Sequence, residues 1–243
     1  WDACAGYHYD DNTLKGFSHT HLSGTGCIDL GDILFRPTTQ KIDPVAEPVY
    51  QPAAFSHEDE KASAGYYSVI LKEEGIKVEL TATTHVGMHR YTFPSGKEAS
   101  VIIDLAHLLD NEYIYEAVLE QTSANEIAGM RRTRGWTDNQ YVYFVAQFSK
   151  PFQSVDFIQD KKIVPASAKI SGTDLQGVLT FDTTDGEPVV VKVGLSLVSE
   201  KNARMNLENE VNDFNFDTVH AAARAAWEQV LSVITVEGGD TDD

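Results

Sequence analysis

Basic residues are scarce in this sequence. Nineteen Lys and Arg stand against 37 Asp and Glu, a formal charge of −18 over 243 residues. A surplus of that sign disfavours a nucleic-acid backbone or an anionic membrane surface as the main partner, and leaves a neutral partner such as a sugar open. Long hydrophobic runs are missing as well. No apolar stretch approaches the roughly 18 residues of a membrane-spanning helix, so an integral membrane protein is not expected. No basic segment leads into an apolar one, which puts any secretion signal outside this sequence. Cysteine is nearly absent, with Cys4 and Cys27 alone. Their spacing fits neither a zinc ribbon nor a redox pair, and two free thiols or one disulfide both stay open. Glycine and proline, 17 and 8 residues, are near ordinary usage, which excludes collagen-like and wholly disordered chains.

What is present falls into three regions. The first, residues 1 to about 62, is rich in turn residues, aromatics and histidines and shows little sustained periodicity. Within it, the stretch from Arg36 to Ala62 carries Pro37, Pro44, Pro48 and Pro52. Proline removes a ladder donor and restricts the residue before it, so a long loop with at most edge-strand pieces is expected there. Loops of that length are often functional or wrapped over a neighbour. In the second region, from Tyr66 to about Val198, apolar and polar residues alternate as in half-buried strands, most clearly from Ile76 to Thr83. Segments 86–93, 100–105, 113–121, 126–134, 141–149, 153–158, 175–181 and 189–198 read likewise. About ten strands without interleaved helices predict antiparallel sheets packed as a sandwich. In the third region the period changes. Phe216, Val219, Ala223, Ala226, Trp227, Val230, Leu231 and Ile234 fall on one helical face, with Asn215 or Asp217 as its cap. The sandwich is thus expected over 1–212, and an amphipathic helix with an acidic tail over 213–243.

The densest chemistry lies in Gly16-Phe-Ser-His-Thr-His-Leu-Ser-Gly-Thr-Gly26, preceded by Trp1 and Gly6-Tyr-His-Tyr-Asp10. His19 and His21 are two apart, so an extended segment would place them on one face. Ser18, Thr20, Ser23 and Thr25 supply donors and acceptors suited to a polyol. A metal site on His8, Asp10, His19 and His21 is conceivable but matches no standard zinc spacing. A phosphate loop would need a strand, a lysine and a helix that are missing, and a serine nucleophile would need an elbow motif that is missing too. The plainer reading is an irregular segment whose side chains satisfy buried backbone groups. Elsewhere, His85 and His89 read as satisfied core or surface residues. Arg131, Arg132 and Arg134 read as arginines on a solvent face, and Asp104 is the foremost buried acid, with a strand-end structural role.

The run from Gly6 to Asp10 followed by Gly16 to Cys27 resembles the family 92 glycoside hydrolases, the calcium-dependent exo-acting α-mannosidases. Phe55-Ser-His-Glu-Asp-Glu60, Ala64-Gly-Tyr-Tyr-Ser-Val69, His89-Arg-Tyr-Thr-Phe-Pro94 and the end from Phe214 through Trp227 are similar to the same family, in the same order. The resemblance implies an N-terminal β-sandwich of the supersandwich, galactose-mutarotase-like kind, a linker helix, and then an (α/α)6 barrel. It also implies hydrolysis of terminal α-mannosides with inversion, by an acid and a base roughly 6.5–9.5 Å apart. Both carboxylates and most calcium ligands are expected in the barrel, so no catalytic or metal-binding residue is expected in this chain. Trp1, His19, Thr20 and His21 are carried over as the substrate-facing wall. The implied partners are a mannose-containing oligosaccharide and the enzyme's own helical domain, and the implied location is secreted or periplasmic. No Pro-Gly-Ala or Pro-Phe-Gly-Met run precedes Trp1 and no barrel follows, so a piece of a larger enzyme is expected. The alternative is a free-standing carbohydrate-binding or structural module.

Overall fold

The computed structural model describes residues 6–22, 28–109, 113–166, 169–235 and 237–238. Trp1, Cys4, Cys27 and the run Ser23 to Gly26, all singled out above, lie outside the described residues. Strands follow one another through most of the chain: β1 Thr13–Leu14, β2 Leu34–Thr38, β3 Ala53–Ala54, β4 Lys61–Ser63, β5 Tyr66–Leu71, β6 Ile76–Ala82, β7 Val86–Thr92 and β8 Ala99–Asp104. Then come β9 Tyr113–Ser123, β10 Glu126–Arg134, β11 Gln140–Phe148, β12 Phe152–Gln159, β13 Lys162–Pro165, β14 Ile170–Gly172, β15 Leu175–Phe181 and β16 Val189–Ser196. Helices α1 Glu200–Glu210 and α2 Phe216–Leu231 close the described chain.

Two sheets carry the architecture. A nine-stranded sheet runs β14-β9-β10-β11-β16-β7-β6-β5-β4, and a five-stranded sheet runs β13-β12-β15-β8-β2. Neighbours in both are antiparallel, as in the β10–β11 and β8–β15 ladders. Alternation along each strand sends one row of side chains between the sheets. Ile127, Val142, Phe144, Ala146 and Val191 from the large sheet meet Phe35, Val101, Ile103, Leu175 and Leu179 from the small one in a single buried core. The expected antiparallel β-sandwich is therefore present.

The helices cover part of the outer face of the large sheet. Ala203, Leu207, Val211, Phe216 and Val219 bury themselves against Val86, Met88, Ala128, Val145 and Val190. Polar clamps hold α1 in place: Arg204 donates twice to Glu126, at 2.9 and 2.7 Å, and Glu210 accepts from the backbone of His85 at 2.9 Å. Asn215 caps α2, its side chain accepting from the Thr218 amide at 3.1 Å, as its position predicts. Helix α1 is a difference from the sequence reading, which has one helix after residue 212. Its sequence is mostly polar, and Ala203 and Leu207 are its two buried residues, too few for a visible stripe. Among the described residues no helix is long and apolar enough to cross a membrane.

The seat of α1 is tight. A Cβ on Gly194 of β16 would lie 2.7 Å from the Cβ of Leu207 and closer still to the carbonyl of Ala203. Gly194→Ala is expected to cost about 1–3 kcal/mol in urea denaturation, because the helix must move off the sheet. An unchanged midpoint would show that α1 contributes little to the fold.

Candidate functional site

The segment from Gly16 to Leu22 runs extended beside residues 30–35. Phe17 and Phe35 exchange backbone hydrogen bonds of 2.8 and 2.9 Å, the His19 amide donates to Asp32 at 3.0 Å, and the Gly31 amide donates to Thr20 at 2.8 Å. The returning strand is irregular, with left-handed backbone at Leu30, Gly31 and Ile33 (φ 72°, 85° and 55°). Two aspartates hold this turn against the large sheet. Asp29 accepts from the Trp136 amide at 2.9 Å in the β10–β11 hairpin. Asp32 is fully buried and accepts from the Thr20 hydroxyl and from Gln140, both at 2.8 Å. Its other oxygen lies 3.4 Å from Nε of Arg131, whose side chain is also fully buried.

Arg131 corrects an expectation. It sits in the interior and not on a solvent face, because alternation along β10 turns 127, 131 and 133 inward. Arg132 lies on the outer face, its guanidinium 4.9 Å from the ring centre of Tyr115 and 5.3 Å from that of Tyr141, and Arg134 is exposed.

The three neighbours His19, Thr20 and His21 face three surroundings. The His19 ring lies against Gly87, where a Cβ would come within 2.8 Å of it. His19 Nδ1 is 2.7 Å from the Ile33 carbonyl, His19 Nε2 is 3.0 Å from Nε2 of His89, and Nδ1 of His89 is 2.6 Å from the Tyr91 hydroxyl. A carbonyl only accepts, so His19 carries its proton on Nδ1 and accepts on Nε2. His89 then donates from Nε2 and accepts from Tyr91, giving one directed chain from Tyr91 to the Ile33 carbonyl. Burial holds the pKa of His19 down at about 4 and that of His89 well below its ordinary value. Both imidazoles are neutral at pH 7. Thr20 turns the other way, its hydroxyl donating to the Asp32 carboxylate and accepting the Asp32 amide at 2.9 Å. His21 is exposed. Its Nε2 is 3.2 Å from the Ser18 hydroxyl, and its ring leaves no room for a Cβ on Gly6.

The two motif blocks around Tyr7 and His57 meet through one carboxylate. Glu60 accepts from Tyr67 at 2.6 Å and Tyr7 at 3.1 Å, and His57 Nδ1 lies 2.6 Å from it. Tyr9 stacks on His57 with ring centres 4.2 Å apart. This hub ties the chain before β1 to the turn before β4.

His19 opens onto a cleft of about 560 Å³ between the large sheet and α2. Ser18, Thr81, Thr83 and Thr84 give it hydroxyls, and Tyr66, Tyr67 and the half-exposed Trp227 give it aromatic faces. Thr20 and His21 do not line it. The threonines and Trp227 escape sequence reasoning because they lie far from His19 in the chain, and the one available signal is the cluster of Thr81, Thr83 and Thr84 at the end of a strand pattern. His85 and His89 are satisfied residues as expected, the former at 2.6 Å from Glu210. Asp104 is buried at the end of β8 and accepts from Tyr50 at 2.8 Å and from the Ala106 amide at 2.9 Å.

Calcium takes about six to eight oxygen ligands. Among the described residues no group of three His, Cys, Asp or Glu side chains is placed to hold a metal ion. The carboxylates beside the site, Asp29 and Asp32, are already turned to backbone amides, Thr20, Gln140 and Arg131. Among the described residues, the side chains beside the site do not fit a calcium ion.

Residues 1–196 match the glycosyl hydrolase family 92 N-terminal domain. The chain belongs to glycosyl hydrolase family 92. Residues 202–243 match the family's catalytic domain, so the two matches meet where β16 gives way to α1. A family 92 α-mannosidase from Bacteroides thetaiotaomicron superposes with a TM-score of 0.91 at 37% identity, over 98% of this chain and 34% of that one. A structure of that α-mannosidase in complex with mannoimidazole superposes equally well, at 36% identity over 98% of this chain and 33% of that one. A family 92 inverting mannosidase from the same organism shares the fold, with a TM-score of 0.82 at 24% identity over 96% of this chain and 31% of that one. An uncharacterized secreted glycosidase from Arthroderma benhamiae is 25% identical, over 98% of this chain and 34% of that protein. The chain spans about a third of the length of these relatives.

Proposed function

We propose that this chain is the N-terminal part of a secreted glycoside hydrolase that removes terminal α-linked mannose from mannose-rich glycans with inversion of configuration. The observation that carries the reading is the family match over residues 1–196, joined to the close superposition on an α-mannosidase. Mannoimidazole in that relative supports a mannoside as substrate, and the name of the fungal relative supports secretion. Inversion follows from the family resemblance.

In this reading the segment that carries His19, Thr20 and His21, together with Trp1, supplies one wall of the substrate pocket, each residue in a role of its own. Trp1 is an apolar plate for a sugar ring, and His21, an exposed residue, bonds a sugar oxygen. Thr20 acts as a positioning residue through Asp32. The acid, the base and most of the calcium ligands belong to a helical barrel that packs on α2. The match of residues 202–243 to the catalytic domain supports this, as do the exposed apolar residues Trp227, Val230, Leu231 and Ile234.

In the complete enzyme, His21→Ala is expected to lower kcat/KM for an aryl α-mannoside about tenfold or more, the loss of a hydrogen bond to a sugar oxygen. Proton NMR of the first turnover should show β-mannose before mutarotation, and α-mannose appearing first would overturn inversion. This chain alone, with calcium, should release no aglycone. Robust turnover would place the acid and base here and overturn the division of labour.

A further inference from the structure

Trp136 has no part in the reading above. It stands at the tip of the hairpin that joins β10 to β11, with 68% of its surface exposed. Its indole makes no hydrogen bond and no ring stack among the described residues. A single exposed aromatic is ordinary on a protein surface. What singles Trp136 out is how firmly the backbone beneath it is held, and by which residues.

The buried Asp29 carboxylate takes the Trp136 amide on Oδ2 and the Leu30 amide on Oδ1, both at 2.9 Å. It lies so close to the hairpin that no room is left for a Cβ on Gly135. At the other end of the tip, Gln140 donates to Asp32 at 2.8 Å. Between them Asn139 accepts from Arg132 Nε at 3.0 Å, and the Gly135 amide donates to the Thr137 carbonyl at 3.1 Å. Asp29 and Asp32 belong to the turn that returns beside the His19 segment, where Leu30 bridges to His21 and Asp32 holds Thr20. The hairpin tip and the segment assigned to the substrate wall are therefore one fixed unit, as a binding constellation requires. Counted through the bridge, Leu30 and Asp29, the His21 and Trp136 backbones are no more than about 17 Å apart. Two side chains and a disaccharide between them can bridge that span.

An indole presented in this way is a flat apolar plate with one N–H donor at its edge. Its surroundings distinguish a sugar from a protein partner. Arg134, Thr137, Asp138 and Asn139 around it are polar and exposed, whereas Trp227 on α2 keeps company with exposed Val230, Leu231 and Ile234. A packed domain interface has an apolar centre inside a polar rim, and the hairpin tip has no such centre. One aromatic plate among polar side chains suits a pyranose, whose C–H face meets the ring while its hydroxyls meet the rim. We propose that Trp136 is the aglycone-side plate of the substrate pocket, stacking on the sugar to which the terminal mannose is joined. The proposal rests on the α-mannosidase reading and adds to it the residue that recognises the leaving sugar.

The test compares two substrates in the complete enzyme. α-D-Mannosyl fluoride has no second sugar, and an α-linked mannobiose has one. Trp136→Ala, at an unchanged melting temperature, should lower kcat/KM for the mannobiose that the unmodified enzyme cleaves fastest, about tenfold more than kcat/KM for the fluoride. Trp136→Phe, which keeps an aromatic face, should recover most of that difference. Equal losses on the two substrates would make Trp136 a structural or domain-packing residue and would overturn the proposal. No loss on either would overturn it too, and in both cases the α-mannosidase reading stands. An unmodified enzyme that cleaves neither substrate would overturn that reading, and the proposal with it.

Discussion

Asp32→Ala is expected to destabilise the protein by about 3–5 kcal/mol, and Arg131→Met by a similar amount, in urea denaturation followed by circular dichroism. Both side chains are completely buried, and the carboxylate faces the guanidinium at 3.4 Å. Removing Arg131 takes from the buried Asp32 carboxylate the cation that faces it, and removing Asp32 takes one partner from a buried guanidinium, and either penalty exceeds what the pair contributes when whole. The double variant should therefore lose much less than the sum. A coupling below about 0.5 kcal/mol would mean that water or another group already compensates each charge. The local consequence is separable from the global one. Asp32 also holds the Thr20 hydroxyl and Gln140. Its loss should free the turn from residue 28 to 33, and with it the backbone that carries His19 and His21. Faster amide exchange at His19 and Gly31, in conditions where the β8–β15 ladder stays protected, is the specific sign.

The strands that were legible in the sequence are those with one face buried and one face wet, or with both buried. Segments 126–134 and 175–181 coincide with β10 and β15, since alternation and turn residues act locally. The edges were harder. Strand β2 contains Pro37 and was expected as loop or edge piece; it is the last strand of the small sheet, where a missing N–H interrupts no further ladder. Strands β13 and β14, of four and three residues, are too short to show a period. At the site, the sequence marks the right segment but not its bonds. Partners of Thr20 and His19 lie 12 and 70 residues away, and nothing in a run of His, Thr and Ser specifies Asp32 or His89. The shared face expected of His19 and His21 needs a regular strand. The left-handed residues of the returning turn make this pairing irregular, and His21 lies outside the cleft that His19 lines.

Acid is expected to unfold this protein early, with the loss beginning near pH 6.5. An exposed histidine in the unfolded chain takes a proton at about pH 6.5. His19 in the folded protein resists until about pH 4, and His89 is held well below its ordinary value, chiefly by burial in both cases. Lowered folded-state values mean that protons bind the unfolded chain preferentially. Their stabilising share is complete well above pH 6.5 and declines as the pH falls toward 4, by about 2 kcal/mol for His19 at pH 5, and His89 adds to the loss in the same direction. His57 opposes this, since its hydrogen bond to Glu60 raises its pKa, but it lies near the surface and is screened. Glu79, held at about 2 chiefly by Arg90, adds a further loss only below pH 4.5. Between pH 7 and 5 the slope thus belongs mainly to buried imidazoles. His89→Phe should lower stability at pH 7, because Tyr91 and Nε2 of His19 lose their partner, and should flatten the slope between pH 7 and 5, by at most about 1 kcal/mol per pH unit. A variant whose stability profile ran parallel to that of the unmodified protein would show that His89 exchanges its proton freely in the folded state, and the directed chain from Tyr91 to Ile33 would then be wrong.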